Sequence, residues 1–323
     1  MDTLRVGVIG AGSAARRHLD VVQSLPNVDI VGISSRGAER LEKISEDYHI
    51  RYTFRNNDEM LKALKPDAVV IAVSAANTYE VASKCIKYGV SALIEKPPGL
   101  TAVQTEGLLK ESKSVSGRFM VGLNRRFYGV IQNAGKIIEE AGRLVSIMVQ
   151  YTEDLATVRA RNIHPPEVLE HWLAADAMHS IDLLRFFAGD VKEIYALSTA
   201  WNDKSPNSYG ALIRFKNGTI GHFVSNWTSP ARWEAVLYGF DIRVDVSPLE
   251  EAKVIRRDGS VSEVPRDEMD AKFKAGFYRQ DSYFLDHVRR DAPIGRPAAN
   301  LADALETMRL VEAIAAAQRM NPI

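Results

Sequence analysis

Over the first third of the chain, short runs of consecutive apolar residues alternate with segments whose apolar positions recur every three to four residues. Runs of the first kind suit strands buried on both faces, and segments of the second kind suit amphipathic helices. The runs are Arg5–Ile9, Asp29–Ser34, Asp67–Val73, Ser91–Ile94 and Arg118–Leu123. Helical spacing covers Ala14–Ser24, Ala38–Tyr48, Asp58–Ala63, Thr78–Tyr88 and Thr101–Ser114. Strands alternating with helices at this interval predict an α/β domain over residues 1–123, a doubly wound parallel sheet.

After Leu123 the pattern changes. A helix is expected over Ile131–Glu140, a strand over Leu144–Tyr151 and one strong helix over Glu167–Phe187. Alternating strand candidates follow at Glu193–Trp201, Ser208–Phe215, Thr219–Trp227, Trp233–Tyr238, Ile242–Val246 and Ala252–Arg256. Turns such as Lys216-Asn-Gly218 and Asp258-Gly259 separate some of them, as hairpins require. Residues 124–323 therefore read as a C-terminal α+β domain with a large, mostly antiparallel sheet. A last alanine-rich helix, about Asn300–Gln318, is expected to pack back on the first domain. An antiparallel sheet with one uncovered face predicts a homodimer or homotetramer joined through that sheet.

Length supports two domains, because 323 residues exceed the size at which one core keeps growing. The 41 basic and 41 acidic residues cancel, so charge gives no reason to expect nucleic acid or an anionic membrane as partner. Cys85 is the single cysteine, which excludes an internal disulfide framework and suits a reducing compartment. No apolar stretch approaches the roughly 18 residues of a membrane span, and the N-terminal apolar residues are spent on the first strand rather than on a signal peptide. A cytoplasmic protein is expected by elimination.

The first strand runs into Gly10-Ala-Gly12-Ser-Ala-Ala15 and then a helix, the context in which a G-x-G-x-x-A turn reads as a Rossmann dinucleotide site. Gly10 permits the tight turn, Gly12 clears space beside a pyrophosphate, and Ala15 lets helix and strand pack closely. The second strand ends in Ser34-Ser35-Arg36, where an NAD-preferring fold places an acid for the ribose hydroxyl. Ser35, Arg36 and, one helical turn on, Arg40 instead suit a 2′-phosphate, so NADP(H) is favoured over NAD(H).

Ligands of open α/β sheets bind beyond the carboxyl ends of the strands, and Lys96 is delivered there, held by Pro97. Its ammonium suits a developing alkoxide. His179, in the predicted helix of the second domain, suits exchange of a hydroxyl proton. Asp176 lies three residues before it and Asp182 three after, all on one helix face. His171 lies two turns upstream, but no H-x-x-x-H motif accompanies it, and no metal is expected.

These residues resemble the Gfo/Idh/MocA oxidoreductases, the glucose-fructose oxidoreductase and inositol dehydrogenase group. The resemblance is carried by the glycine turn through His18, Val73-Ser-Ala75, Glu95-Lys96-Pro97, Val121-Gly-Leu-Asn124-Arg-Arg-Phe127 and His179-Ser-Ile-Asp182-Leu-Leu, which run through most of the chain. It implies a Rossmann domain followed by a large antiparallel sheet, catalysis by Lys96 and His179, a sugar-like or polyol substrate, and oligomers formed through the sheet. It also implies that Ser13, Ala14, Ser74, Ala75, Asn77, Glu95, Pro97 and Asn124 join the cofactor site.

Two departures stand out. The family places an aspartate four residues before this histidine, where this chain has Ala175, with Asp176 one position later. A helix turns about 100° per residue, so either the helix shifts locally to present Asp176, or Lys96 and His179 work without that acid. Tyr79 and Ala75 occupy positions where histidine and proline are usual.

For the substrate, Arg125 and Arg126 after the first domain, and Arg159, Arg161 and His164 before the catalytic helix, would favour an anionic group if they converge. Solvated or inter-subunit charges are the alternative. Tyr278 and Arg279 are further pocket candidates, whereas Trp201, Trp227 and Trp233 suit core or interface positions. The expected activity is hydride transfer between NAD(P) and a secondary alcohol or ketone. Two other readings stay open: a retained cofactor used in redox-assisted elimination or internal oxidoreduction, and a catalytically idle dinucleotide-binding sensor or scaffold.

Overall fold

A computed structural model describes residues 3–316 and the backbone of 318–319. Strands β1 (Leu4–Ile9), β2 (Val28–Ser34), β3 (Thr53–Phe54), β4 (Ala68–Ile71), β5 (Ser91–Glu95) and β6 (Phe119–Gly122) form one parallel sheet in the order β6-β5-β4-β1-β2-β3. That is the doubly wound arrangement expected. The short strand Ala299–Asn300 adds an antiparallel edge beside β6. It lies about 180 residues beyond β6 in the chain.

The chain divides into two compact units. The first comprises the residues up to Phe127 and takes back Met269–Leu305, whereas the sequence pattern places every residue after Leu123 in the second domain. The physical reason lies in the core. Val6, Val70, Leu93 and Met120 of the sheet pack with Phe284 and Leu285 of the returning helix Phe277–Arg289. Complete burial of such side chains contributes about 1.5–3 kcal/mol each. A second cluster joins Val8 and Ile33 to Ala15 and Leu19 of helix Ser13–Ser24 and to Leu41 and Ile44 of helix Ala38–Asp47.

The second unit is built on strands β7 (Ser146–Asp154), β8 (Val191–Thr199), β9 (Ser208–Phe215), β10 (Ile220–Asn226), β11 (Thr228–Tyr238), β12 (Ile242–Val246), β13 (Ala252–Arg256) and β14 (Val261–Val264). They lie in the order β14-β13-β12-β11-β7-β10-β9-β8, and the two residues Gln318–Arg319 pair with β8. Neighbours are antiparallel except β7 with β10 and the pairing of Gln318–Arg319 with β8, which are parallel. Strand β11 starts earlier than expected, at Thr228, with a register irregularity between Thr228 and Arg232 around Pro230. Helices Gly129–Glu140 and Met178–Ala188 belong to this unit and pack against the sheet. Leu184 lies 3.5 Å from where a side chain on Gly221 would begin.

On β8–β10, buried and exposed residues alternate with the pleat. Tyr195, Leu197, Leu212 and Val224 stand exposed on one face, Tyr195 directly opposite Leu212. Trp201 is exposed and Trp227 buried. The helix expected over Glu167–Phe187 is interrupted. A short helix Pro166–Glu170 is followed by one π turn, Leu173–Ala177, and then by helix Met178–Ala188. The helix expected at 300–318 spans Leu301–Ala315, and Ala317 lies outside the described residues.

Candidate functional site

In the first unit, β1 ends on a turn that tolerates no side chain at its first glycine. Gly10 has φ +121°, and a Cβ there would fall 2.1 Å from the Ala72 carbonyl oxygen. Its N–H donates to Ser34 O at 2.8 Å, tying the turn to the end of β2. Gly12 differs: its backbone is extended and nothing lies within 4 Å of the position a Cβ would take. Gly12 is also the N-cap of helix Ser13–Ser24, which has neither a capping side chain nor an acidic residue in its first turn. Amide donors and the positive end of the helix dipole thus meet open space. Ala15 is fully buried against the sheet. The donor set and the room beside Gly12 fit a dinucleotide pyrophosphate.

The end of β2 carries the residues for the ribose side. Ser34 is buried and donates to Asn57 Oδ1 at 2.7 Å, and Ser35 N donates to Phe54 O, fixing the loop that presents Arg36. The exposed Arg36 guanidinium donates to Asn77 Oδ1 at 2.8 Å, and Asn77 Nδ2 donates to Ser74 Oγ at 2.5 Å. Arg40 folds back over Gly37, its guanidinium 3.4–3.9 Å from the Cβ direction of that glycine. Arg36, Arg40, Ser74, Ala75 and Asn77 therefore gather around the carboxyl ends of β2 and β4, where the helix Ala75–Lys87 begins without a side-chain cap.

Strand β5 delivers Lys96 at its carboxyl end, and the Lys96–Pro97 bond is cis. Glu95 does more than precede the lysine. Its Oε2 accepts from the Lys96 backbone N–H at 3.1 Å, and its Oε1 lies 3.1 Å from His18 Nε2. His18 Nδ1 lies 2.8 Å from Asp281 Oδ2 of helix Phe277–Arg289. Burial alone opposes protonation of this ring, but the Asp281 carboxylate and then Glu95 outweigh it, and the His18 pKa is pushed up to about 10.

Two candidates of this unit are committed to the fold. Arg126 is 3% exposed and pairs with Asp303 at 2.6 Å, which removes it from the substrate arginines. Asn124 is buried and its amide nitrogen donates to Ala275 O at 3.0 Å, so that donor serves the returning segment. Arg125 is half-buried, and Tyr278 stacks on Phe273 with ring centroids 5.2 Å apart.

In the second unit, Asp176 lies within the π turn, where the helical phase changes. Tyr151, on β7 and fully buried, donates from its hydroxyl to Asp176 Oδ2 at 2.5 Å. Burial first, and then the Asp176 charge, hold the Tyr151 phenol well above its ordinary value, so it remains a neutral donor. Glu153, two residues along β7 and so on the same face, has its carboxyl raised by burial and by Asp176, with Arg161 opposing. Tyr151 also meets the edge of Trp233, and His164 the edge of the buried Trp172. His179 follows one residue into helix Met178–Ala188 and is 7% exposed.

Asp182 is not part of this group. It accepts from Thr307 Oγ1, which in turn accepts from Arg185, in a buried structural network. Arg159 is held by Asp203 at 2.6 Å. Arg126 and Arg159 thus have carboxylate partners of their own, and Arg161 acts on Glu153. Sequence reasoning missed Tyr151, Glu153 and Asp281. Tyr151 stood at the end of an expected strand and Glu153 beyond it, neither with a further signal, and Asp281 reaches His18 from 263 residues away.

Comparison with known proteins agrees with this arrangement. A family model described as an oxidoreductase family with an NAD-binding Rossmann fold matches residues 4–123, and one described as the GFO/IDH/MocA C-terminal domain matches residues 131–246. The 4-carboxy-2-hydroxymuconate-6-semialdehyde dehydrogenase of Sphingobium sp. SYK-6 is 26% identical over 273 residues, 76% of this chain and 85% of that one. The myo-inositol 2-dehydrogenase of Thermotoga maritima is 23% identical over 255 residues, 75% and 72% of the two chains. The solved structure of a dehydrogenase from Chromobacterium violaceum matches with a TM-score of 0.85 at 19% identity, covering 98% of this chain and 95% of that one, a likeness of fold.

Proposed function

We propose a reaction for this chain, which belongs to the GFO/IDH/MocA family of NAD-binding oxidoreductases: hydride transfer between a nicotinamide cofactor and a secondary alcohol or ketone carbon of a sugar, polyol or derivative. The observation that carries it is the glycine turn at Gly10 and Gly12, sterically closed on one side and open on the other, on the sheet that delivers Lys96. When bound, the nicotinamide supplies the hydride acceptor or donor. Lys96 hydrogen-bonds the substrate oxygen and stabilises the alkoxide, and His179 takes or returns the hydroxyl proton. Asp176, fixed by the Tyr151 hydroxyl, is the carboxylate that orients this proton exchange.

NADP(H) is the preferred cofactor in this reading. Its support is the pair of guanidinium groups at the end of β2, Arg36 beside Asn77 and Arg40 beside Gly37. Because Arg126 and Arg159 are paired internally, we assign a neutral polyhydroxy substrate rather than an anionic one. The relative named for myo-inositol supports the same class. We also assign a homo-oligomer closed over Tyr195, Leu197, Leu212 and Val224, since contiguous apolar sheet surface is seldom left in water. No described helix is long and apolar enough to cross a membrane. A cytoplasmic setting is our reading of the single, buried Cys85.

The test is calorimetric titration with NADPH and NADH, followed by a neutral polyol and sugar panel on the wild type, Lys96→Ala and His179→Ala. Turnover lost in both variants with NADPH binding retained is expected. Undiminished turnover in either variant, or absence of binding to both nucleotides, refutes the assignment. Light scattering that shows only monomer at micromolar concentration refutes the oligomer.

A further inference from the structure

The first unit contains a buried chain of polar contacts that the reaction above does not use. Gln280 Nε2 donates to Asp281 Oδ1 at 3.2 Å, Asp281 Oδ2 meets His18 Nδ1 at 2.8 Å, His18 Nε2 meets Glu95 Oε1 at 3.1 Å, and Glu95 Oε2 takes the Lys96 N–H at 3.1 Å. His18 is inaccessible to solvent and Asp281 almost so. The Phe277 ring closes over the imidazole with centroids 4.9 Å apart, and Arg17 lies on that ring. A Cβ on Gly122 would sit 3.3 Å from the Glu95 carboxyl carbon and from its Oε1, so the absence of a side chain there leaves the carboxylate its place.

We propose that His18 is a positioning residue for Lys96: the ring bridges Asp281 and Glu95, and the second of these fixes the backbone from which the lysine side chain starts. The idea rests on the role given to Lys96 above. Ionised carboxylates only accept hydrogen bonds, so a ring placed between two of them makes both contacts only with a proton on each nitrogen. Burial holds the Asp281 carboxyl above its usual range, with His18 opposing; with both carboxylates ionised, the bridge is an imidazolium between them. The groups facing it are Asp281 from helix Phe277–Arg289 and Glu95 from β5, with Arg17 of its own helix set apart by Phe277. A consequence for the chain follows. The segment that returns to the first unit is clamped by an ion pair to the strand end that carries the lysine, so a disturbance at Asp281 reaches Lys96 through two hydrogen-bonded residues.

The experiment uses the full chain as wild type, His18→Leu, His18→Gln and Asp281→Asn. Nitrogen-15 NMR of the histidines reads the ring, peptide mass spectrometry reads the rate at which trinitrobenzenesulfonate labels Lys96 with Lys87 as control, and fluorescence titration reads NADPH binding. Expected are an imidazolium signature for His18 through pH 8, a Lys96 labelling rate changed at least threefold in His18→Leu and Asp281→Asn with Lys87 unmoved, and a smaller change in His18→Gln, whose amide still donates to one carboxylate. With any polyol that the wild type turns over, kcat falls at least tenfold in His18→Leu while the NADPH Kd stays within twofold.

A neutral His18 ring, or unchanged Lys96 labelling in the folded Gln and Asn variants, overturns the proposal. Failure of the wild type to bind NADPH or to turn over any polyol would instead strike the function proposed above, and the ring and labelling results would still decide the bridge.

Discussion

Gly10 and Gly12 stand two residues apart, yet replacing each with alanine should damage different properties. At Gly10 an added methyl carbon falls 2.1 Å from a backbone carbonyl oxygen, and the φ of +121° is one an alanine rarely adopts. A sparsely populated backbone angle costs about 1–3 kcal/mol, and overpacking against rigid backbone about 1–3 more. Gly10→Ala should therefore lose about 2–6 kcal/mol of stability. At Gly12 the same methyl meets nothing within 4 Å and the backbone angle is ordinary, so Gly12→Ala should fold as well as the wild type or gain about 0.4–1 kcal/mol from a stiffer unfolded chain.

The methyl group of Gly12→Ala does, however, occupy the space assigned to the pyrophosphate. Loss of two charge-assisted amide contacts at about 1.5 kcal/mol each predicts roughly a hundredfold weaker NADPH binding. Urea unfolding of both variants beside calorimetric titration of Gly12→Ala separates the two effects. A destabilised Gly12→Ala, or one that binds NADPH at wild-type affinity, refutes the reading of this turn as an open phosphate cradle.

Arg36→Ala should weaken NADPH binding by about 10–100-fold and leave NADH binding within twofold, the NADPH loss shrinking at high salt; equal losses for both nucleotides would remove the basis for an NADP preference. Arg126→Ala should lower stability by about 1–3 kcal/mol, discounted because Asp303 is a third exposed, with substrate KM unchanged; a raised KM in a fully stable variant would return Arg126 to the substrate site. Burial pushes the Cys85 thiol up to about 12, so at pH 8 it should resist a disulfide reagent until the chain unfolds, as rapid native labelling would contradict. The raised His18 pKa fixes the direction of one pH effect. Its stabilisation is complete below the ordinary value of 6.5 and is lost as pH rises through about 10, so the urea midpoint should fall across that window in the wild type and less in His18→Gln.

What could be read from the chain and what could not divide along a physical line. Strands β1, β2, β4, β5 and β6 announce themselves because a strand buried on both faces must be apolar at nearly every position, and Gly10 because a positive φ with a carbonyl at van der Waals range admits nothing else. The strand β14 has the sequence Val-Ser-Glu-Val with three exposed residues, so its pairing with β13 has almost no apolar signature. The π turn is hidden for the opposite reason. Leu173, Ala174, Ala175 and Ala177 are all buried, and a segment apolar on every side gives no phase from which an extra residue could be detected. The shift shows only through Tyr151, which meets Asp176 across the fold.

Long-range polar pairs are the least legible of all. His18, Glu95 and Asp281 are ordinary residues in their own helices and strand, and their meaning arises when the chain beyond Met269 returns to the first sheet. That return also gives Arg126 a partner that its neighbours in sequence do not reveal. Beside Arg125 after β6 it reads as a ligand for an anion, but the carboxylate that pairs with it, Asp303, lies 177 residues on, within the same returning segment. A charged residue next to a catalytic motif is therefore informative about the substrate only after the far end of the chain has been placed. In this protein that placement gives one buried arginine a carboxylate partner and brings Asp281 onto the histidine that meets Glu95.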